Sequence, residues 1–537
     1  GTLIGSDKTG GSGDDNTLGA TVIVTDQMSP PQQTCFVNGV RCTGTLLQAV
    51  MNNIGDGMSV KKVLPERQIK AILGECVSIF VTARINMPNW TGQTKDVLDT
   101  PVSKFGFVVP SCKTLAKRVE ALDVVKAQVE ARRSLSEGKA AKKILKESGK
   151  NTNKIKKYEK ATEVGKGKQC TLWIAEGDSA KAMIVSGFQV TGRKHHGVYP
   201  LRGKLLNVYD MVASDALKNV EISELIAILN LDPAKQYDAT SVKKLPYNLM
   251  VTTDQDDDGS HIFGLVLALF YRFFPTLLSS APGFVRRFVT PVVKVFPTAR
   301  ATPIEFFALS SYRAWAAARS ADDPTPSSVA YYKGLGTNTN DEAIAYFSSM
   351  TRYAKTSLHT DECVTAMKIA FAKGSSSDRR DILRLKSPHD THDLYTADSF
   401  TTARFCTDEL TLFWQADNLR SIPGGIDGLK PSQRKTVFTI LSAGQSTKHK
   451  VAQLAADVAK KTNYHHGEAA MAGVIVNLAQ TFFGSNNVPL LLPKGQFGNR
   501  HGEKPSQPRY IYTLPQPYLA SIFHPADNMV LDYLIDE

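Results

Sequence analysis

Apolar residues along the chain change their spacing several times, and each change marks an element boundary. Between residues 21 and about 112, short runs of strand type (TVIVTD, CFVNGV, CVSIFVTARI) alternate with helical segments. Residues 115–160 read as helix, and 131–160 carry eleven Lys/Arg against three acids. At Cys170 the pattern changes. The run CTLWIA ends in EGDSA and leads into a helical stretch; LPYNLMVTTD ends in DQDDDG and leads into a helix over 262–278. Strand, acidic turn and helix, twice over, predict a parallel α/β domain with its functional groups at the carboxyl ends of the strands. Residues 340–410 are mostly helical and charged. Beyond 411, amphipathic helices (VAQLAADVAKKTNY, AAMAGVIVNLAQTFF) alternate with Gly/Pro/Asn-rich turns before a last strand-like piece, RYIYTL.

Composition narrows the class. The 537 residues are enough for three or four domains of about 150 each. Hydrophobic residues make up 42% and charged residues 21%, which excludes wholesale disorder. A net charge of +13 and a pI near 9.2 imply an anionic partner. The basic stretch 131–160 reads equally as a solvated helix and linker or as a phosphate contact. The most apolar window, 262–274, is cut by Arg272 and Pro275 well short of the roughly 20 residues a span needs, so a soluble protein without a membrane partner is expected. No basic-then-apolar leader follows Gly1. Seven scattered cysteines without a CxxC pair predict free thiols in a reducing compartment and neither a disulfide frame nor a zinc site.

Asp254, Asp256 and Asp258 are spaced two apart, so a strand continuing through them puts all three on one face. Carboxylates about 7 Å apart repel by roughly 2 kcal/mol at an effective dielectric of 20, and such a group demands a cation. Oxygen donors without His or Cys favour Mg²⁺. Glu176, ending the other strand, is a natural fourth carboxylate and a candidate general acid or base. An EF-hand is excluded because its twelfth position falls on Leu265. A P-loop is excluded because five residues separate Gly197 from Gly203 and Leu205 follows Lys204. A solvated acidic turn remains the alternative on this stretch alone.

Together, EGDSAK (176–181), PLRGKLLNV (200–208), TDQDDDGSHI (253–262) and YYKGLGT (331–337) resemble the Toprim region of type IIA DNA topoisomerases, in the family's order. RSIPGGIDGLKPSQRK (420–435), YHHGE (464–468), GSNNVPLLLPKGQFGNR (484–500) and PRYIYT (508–513) resemble its winged-helix DNA gate. One chain carrying both halves is similar to the eukaryotic and large-virus enzymes. The resemblance implies an α/β multidomain chain: a partial α+β transducer over 1–112, a basic helical linker over 113–168, a parallel α/β Toprim domain over 169–300, an associated helical region over 301–410, and a mainly α winged-helix domain over 411–537, ending at the start of the tower.

The same resemblance implies site residues. Tyr510 would attack a DNA phosphodiester to form a 5′-phosphotyrosine, with Arg509 stabilising the phosphate and His466 accepting a hydrogen bond or relaying a proton. A phenol with a pKa near 10 is only about a thousandth ionised at pH 7, so positive charge or a base must stand nearby. Neighbours on a strand face opposite ways, so Arg509 and Tyr510 serve one phosphate only if the backbone bends, which Pro508 favours. Glu176, Asp254, Asp256 and Asp258 would hold Mg²⁺, with Mn²⁺ or Ca²⁺ as substitutes. Arg420, Lys430, Arg434, Arg202, Lys204 and Lys333 would bind DNA phosphates, and Asp427 would orient the basic groups. GLKPSQRK reads as a helix start that puts Lys430 and Arg434 on one face. GQTK (92–95) resembles the loop whose lysine reaches ATP, which gives Lys95 that contact and Gln93 an accessory one. The chain is expected to begin within the transducer and to stop before the exit gate. Double-stranded DNA and a second copy of the chain are the expected partners, in a nucleus, or in host cytoplasm or a virion.

Departures from the family pattern point to a divergent member: Asp257 where Gln is usual, NTN at 338–340, Asn499 where Thr is common, and a short HGEKPSQ before the tyrosine segment. Two rival readings are a Toprim-type nuclease or primase, which leaves the YHHGE and PRYIYT segments unexplained, and a DNA-binding scaffold with a disarmed site.

Overall fold

The computed structural model describes residues 3–10, 19–26, 30–62, 64–91, 97–130, 132, 155–298, 301–320, 323–332, 334–385, 393–444, 446–464 and 466–529. They form two compact units, one of residues 1–252, 265–288 and 339–359 and the other of 253–264, 289–338 and 360–537.

The first unit holds two sheets. The amino-terminal sheet has the order Leu3–Gly10, Gly19–Thr25, Ser78–Arg84, Gln33–Val37, Val40–Gly44, Val97–Leu98. CFVNGV, expected as one strand-like piece, spans a hairpin, because Asn38 and Gly39 take positive φ of 49° and 83°. That is the backbone a two-residue turn between right-twisted strands requires. Val22, Val24, Ile79 and Val81 share one core with Leu46, Val50 and Ile54 of the helix Thr45–Gly57 and with Ile72 of Glu66–Cys76.

In the second sheet five strands of this unit pair in the order Ala354–Leu358, Val285–Phe288, Tyr247–Thr252, Cys170–Glu176, His196–Leu201. The last four run parallel and the first antiparallel. Both expected strands are there, and both are buried along almost their whole length, as central parallel strands are. Trp173 anchors the packing. Its ring stacks on Phe347 at 4.8 Å, meets Phe288 edge-on at 5.1 Å, and donates from Nε1 to His196 Nδ1 at 3.1 Å. Gly187 makes room for this cluster, since a Cβ there would stand 2.2 Å from the Phe347 ring.

The second unit begins with a three-stranded antiparallel sheet, Val293–Phe296 lying between Ile304–Phe306 and Ser328–Tyr331. Tyr312 and Trp315 of the helix Leu309–Ala317 pack on Phe306. Further on, the helices Pro431–Ser442, Val451–Thr462 and Glu468–Ala479 bury Val437, Ile440, Leu454, Val458, Met471 and Ile475 together. A small antiparallel sheet, His449–Lys450, Tyr512–Pro515, Leu491–Lys494, flanks them in winged-helix fashion.

Three expectations need correction. The helix expected over 262–278 is two helices, Asp257–Phe273 and Pro275–Ser280, with Pro275 opening the second. Residues 155–160 are not helical; Glu159 and Val198 exchange backbone hydrogen bonds of 2.9 and 2.8 Å, which ties this segment to the sheet edge. Of RYIYTL, only the part from Tyr512 onward is strand. Most of the basic stretch, 133–154, lies outside the described residues. All seven cysteines are buried, and none is joined in a disulfide. Among the described residues no helix is long and apolar enough to cross a membrane.

Burial, and after it the charges of His195 and Arg286, hold the His196 imidazole down to about 4. An unfolded histidine protonates near 6.5, so between those values the unfolded chain binds more protons and stability falls as the pH falls. Urea melts stepped from pH 7.5 to 4 are expected to show this loss. His196→Gln, which keeps an acceptor for Trp173 but cannot titrate, is expected to show a shallower one; identical slopes would contradict the assignment.

Candidate functional site

The acidic segment does not continue as strand. Tyr247–Thr252 ends before it, and Asp257 opens the helix Asp257–Phe273, so the three expected aspartates do not share a strand face. The physical reason is a helix start. Asp256 Oδ1 accepts the Gly259 N–H at 2.6 Å, the hydrogen bond of an N-cap, and the first helical turn then favours acids. Asp254 Oδ1 accepts the Leu335 N–H at 2.7 Å, and a Cβ on Gly334 would come within 2.9–3.1 Å of the same carboxylate. Gly259 is equally confined, since a Cβ there would stand 2.0 Å from the Asp254 carbonyl oxygen. Asp258 takes both terminal nitrogens of Arg420, at 2.8 Å each.

Burial raises the Asp254 carboxyl, the charge of Asp256 adds to it, and the Leu335 N–H works against both. Burial, followed by the charges of Asp256, Asp258 and Glu409, pushes Asp257 up to about 6, with Arg420 opposing. Two buried oxygens beside them, Thr253 Oγ1 and Gln255 Oε1, have no hydrogen-bond partner among the described residues.

Within the first unit, Glu176 ends its strand half-buried, directly before the helix Gly177–Thr191. Its register partner on the neighbouring strand is Leu201, so exposed Arg202 and Lys204 follow at the same strand end. Their loop is held at its root. Glu221 accepts the Arg202 N–H at 2.8 Å and the Lys157 ammonium at 2.7 Å, while the Tyr199 hydroxyl donates to Glu224 at 2.6 Å.

Within the winged-helix region, Arg509 and Tyr510 sit in a turn closed by the Tyr510 N–H to Gln507 O at 2.8 Å. The bend that the sequence required is present, and the Arg509 guanidinium lies 5.2 Å from the Tyr510 ring centre. Tyr510 is 67% exposed while Ile511, next to it, is 1% exposed. The Ala452 and Val451 N–H groups donate to Pro508 O and Ile511 O at 3.2 and 3.0 Å, fastening the turn to a helix start. Lys448 and Lys450 stand 4.3 and 5.7 Å from the Tyr512 ring centre. Sequence reasoning missed both lysines; the KHK tripeptide just before a helix was their one signal.

Asp427 binds the Arg434 guanidinium through both oxygens, with Nη2 also on Leu429 O at 3.1 Å. Arg434 holds the Asp427 carboxyl below its ordinary range. Gly424 permits this fit, since a Cβ would stand 2.7 Å from Arg434 Nη2. Lys430 is the cap residue of the helix Pro431–Ser442, and its N–H donates to Gln433 Oε1 at 2.9 Å. His466 is exposed, its ring edge-on to Tyr464 at 5.4 Å. Gln93, Lys95 and Lys333 lie outside the described residues.

Residues 420–537 match the family of the A subunits of DNA gyrase/topoisomerase IV, and residues 288–418 match the C-terminal associated domain of TOPRIM. The DNA topoisomerase 2 of Bombyx mori is 38% identical over 533 residues, covering 93% of this chain and 33% of that protein. The DNA topoisomerase 2 of Candida glabrata is 37% identical over 524 residues, covering 94% and 36%. The crystal structure of the Plasmodium falciparum topoisomerase II DNA-binding, cleavage and re-ligation domain aligns with a TM-score of 0.59 at 37% identity, covering 71% of this chain and 52% of that one. The chain belongs to the type IIA DNA topoisomerase family. It spans about a third of the length of these curated relatives.

For this topoisomerase-family chain the implied divalent metal can be tested against the residues present. Asp254 and Asp256 are charge-coupled neighbours with orphaned oxygens beside them, which suits an ion that takes one or two carboxylates, waters and a phosphate. Among the described residues no three His, Cys, Asp or Glu side chains are arranged to hold one metal. Asp258 is occupied by Arg420, and Glu176 belongs to the first unit. Gly334→Ala is expected to push the Asp254 carboxylate aside and weaken Mn²⁺ binding about tenfold, as loss of a supporting contact does. Electron paramagnetic resonance titration of Mn²⁺ reads this, with Gly374→Ala, open on all sides, as a control. Equal affinity in the two variants would disprove the role of the glycine.

Proposed function

We propose that this chain carries the DNA-cleaving part of a type II topoisomerase. The observation that supports it most is the exposed Tyr510 in a bent turn with the Arg509 guanidinium against its ring, in a chain similar to DNA topoisomerase 2 proteins over nearly its full length. The phenolic oxygen of Tyr510 attacks a phosphodiester, the 3′-oxygen leaves, and the 5′-phosphate remains on the tyrosine. One ester replaces another, so the step reverses without an energy source. Arg509 stabilises the crowded phosphate, and His466 takes or relays the phenolic proton.

Asp254 and Asp256 would hold Mg²⁺, for which Mn²⁺ or Ca²⁺ would substitute, and Glu176, at its own strand end, would serve as general acid or base. When bound, the metal supplies charge stabilisation at the phosphate oxygens. Lys430, Arg434, Arg202, Lys204 and Lys333 grip duplex backbone, with Asp427 aiming Arg434; such contacts carry little sequence information and weaken steeply with salt. One tyrosine cuts one strand, so a double-strand gate needs two copies of the chain. In the longer protein ATP drives passage of a second duplex, with Lys95 and Gln93 on the nucleotide side.

Supercoiled plasmid with Mg²⁺ or Mn²⁺, quenched with detergent, is expected to yield DNA linked to protein at its 5′ ends without ATP. Tyr510→Phe abolishes the adduct, and Arg509→Ala lowers it by about 100-fold, the scale for removing one transition-state donor. Free nicks that persist in Tyr510→Phe would favour a Toprim-type nuclease. DNA binding without breaks at any metal concentration would favour a scaffold.

A further inference from the structure

Two residues expected to bind ligands bind each other instead. Arg420 Nη1 donates to Asp258 Oδ2 and Nη2 to Asp258 Oδ1, both at 2.8 Å, a fork-on-fork pairing that engages both carboxylate oxygens. Asp417, three residues earlier on the helix Leu410–Ser421, accepts from Arg420 Nε at 3.1 Å and stands equally near Nη2. The ring of Phe413 lies 5.7 Å from the guanidinium carbon. Two carboxylates against one guanidinium leave the trio with a net negative charge. Hydrogen bonds thus occupy Arg420 Nε and one hydrogen on each terminal nitrogen, with Asp417 also beside Nη2, so two of its five N–H groups at most are left for any phosphate. Such a group is poorly placed to hold DNA, and its partner is poorly placed to hold a metal.

The pair is well placed for something else. Asp258 is in the first turn of the helix Asp257–Phe273, two residues after Asp256, and that same turn supplies the Gly259 N–H that fixes the Asp256 carboxylate. The contact joins residues 162 apart in sequence. It pins the start of one helix to the end of another, and the acidic turn is attached to the pinned end.

We propose that Asp258 and Arg420 are positioning residues: they form one ion pair that fixes the helix start carrying Asp254 and Asp256, and neither is a ligand of the metal or of DNA. The inference builds on the metal-dependent cleavage reading above. Arg420→Gln leaves Asp258 and Asp417 facing each other without their cation, and Asp258→Asn leaves Arg420 to Asp417 alone, so either change releases the helix start. Once one member is gone the other has nothing to hold, so the double variant harms the site no more than the worse single variant, whereas the losses of two independent groups add in free energy.

The test uses the whole chain, with Mn²⁺ alone as the metal probe and a duplex oligonucleotide in EDTA as the DNA probe. Mn²⁺ affinity is read by electron paramagnetic resonance for wild type, Asp256→Asn, Asp258→Asn, Arg420→Gln and the Asp258→Asn/Arg420→Gln double variant. We expect Asp256→Asn to lose about 100-fold, each single variant of the pair to lose about tenfold, and the double to lose about tenfold as well, the scale of ligand and supporting-residue losses. Thermal melts identify any variant that fails to fold. An Arg420→Gln variant that binds Mn²⁺ as well as wild type while Asp258→Asn does not, or a double variant that loses the product of the two single losses, overturns the proposal and makes Asp258 a ligand.

For DNA, the slope of log affinity against log salt is expected to be the same in Arg420→Gln as in wild type. A slope smaller by about one would identify Arg420 as a phosphate contact and overturn the proposal too. This arm needs no metal, so it decides on Arg420 even if the wild-type chain takes up no Mn²⁺, a result that would count against the metal reading. Neither arm depends on Tyr510, so failure of covalent trapping stays distinguishable from failure of the ion pair.

Discussion

Four carboxylates in five residues, released from the end of a strand whose last residue, Thr252, is fully buried, set the terms for the acidic site. Like charges so close, partly withdrawn from water, coexist only where donors meet them or where one shifts toward its neutral form. The chain meets the demand piecemeal. A backbone N–H from the KGLGT segment serves Asp254, a helix-start N–H serves Asp256, and a guanidinium serves Asp258. Asp257 keeps no such donor among these contacts and is pushed furthest toward its neutral form. Glycines at 259 and 334 belong to the same solution, because any side chain there would stand where the backbone or carboxylate of Asp254 already is.

The winged-helix region solves a related problem with fewer charges. Asp427 and Arg434 neutralise each other and shape the loop ahead of the helix Pro431–Ser442 around Gly424. Cations left over from such pairing, Arg509 against Tyr510 and Lys448 and Lys450 against Tyr512, collect at the aromatic end of the small sheet. The net charge of +13 is therefore not spread evenly by chemistry: some basic groups are consumed internally and some face outward beside rings.

Sequence periodicity was a good guide wherever apolar side chains had to meet a core. TVIVTD, CVSIFVTARI, CTLWIA and LPYNLMVTTD all supply strands, and the two amphipathic runs after 450 supply helices. It misled at DQDDDG, where a spacing of two fits a strand as well as it fits a chain crossing from strand end to helix N-terminus. The Asp256 cap distinguishes the two, and it is a local hydrogen bond that no spacing rule detects. Motifs singled out Tyr510, Arg509 and the acids only as what a resemblance implies, and the partner of Asp258 lies 162 residues away, where no local pattern connects the two. Lys448 and Lys450 escaped for the same reason: the pairing of His449 with Thr513 and of Lys450 with Tyr512 brings that tripeptide beside Tyr512.

The alternation of an exposed Tyr510 with a buried Ile511 has a mechanical consequence. Ile511 sits in the helical core beside a glycine at 495 that admits it, and the backbone on either side is bonded to the start of the helix Val451–Thr462. A side chain rooted one residue from the core has a short lever arm. The phenolic oxygen of Tyr510 can sweep only the arc its own two torsions allow, and any longer travel must be made by the winged-helix body moving as a whole.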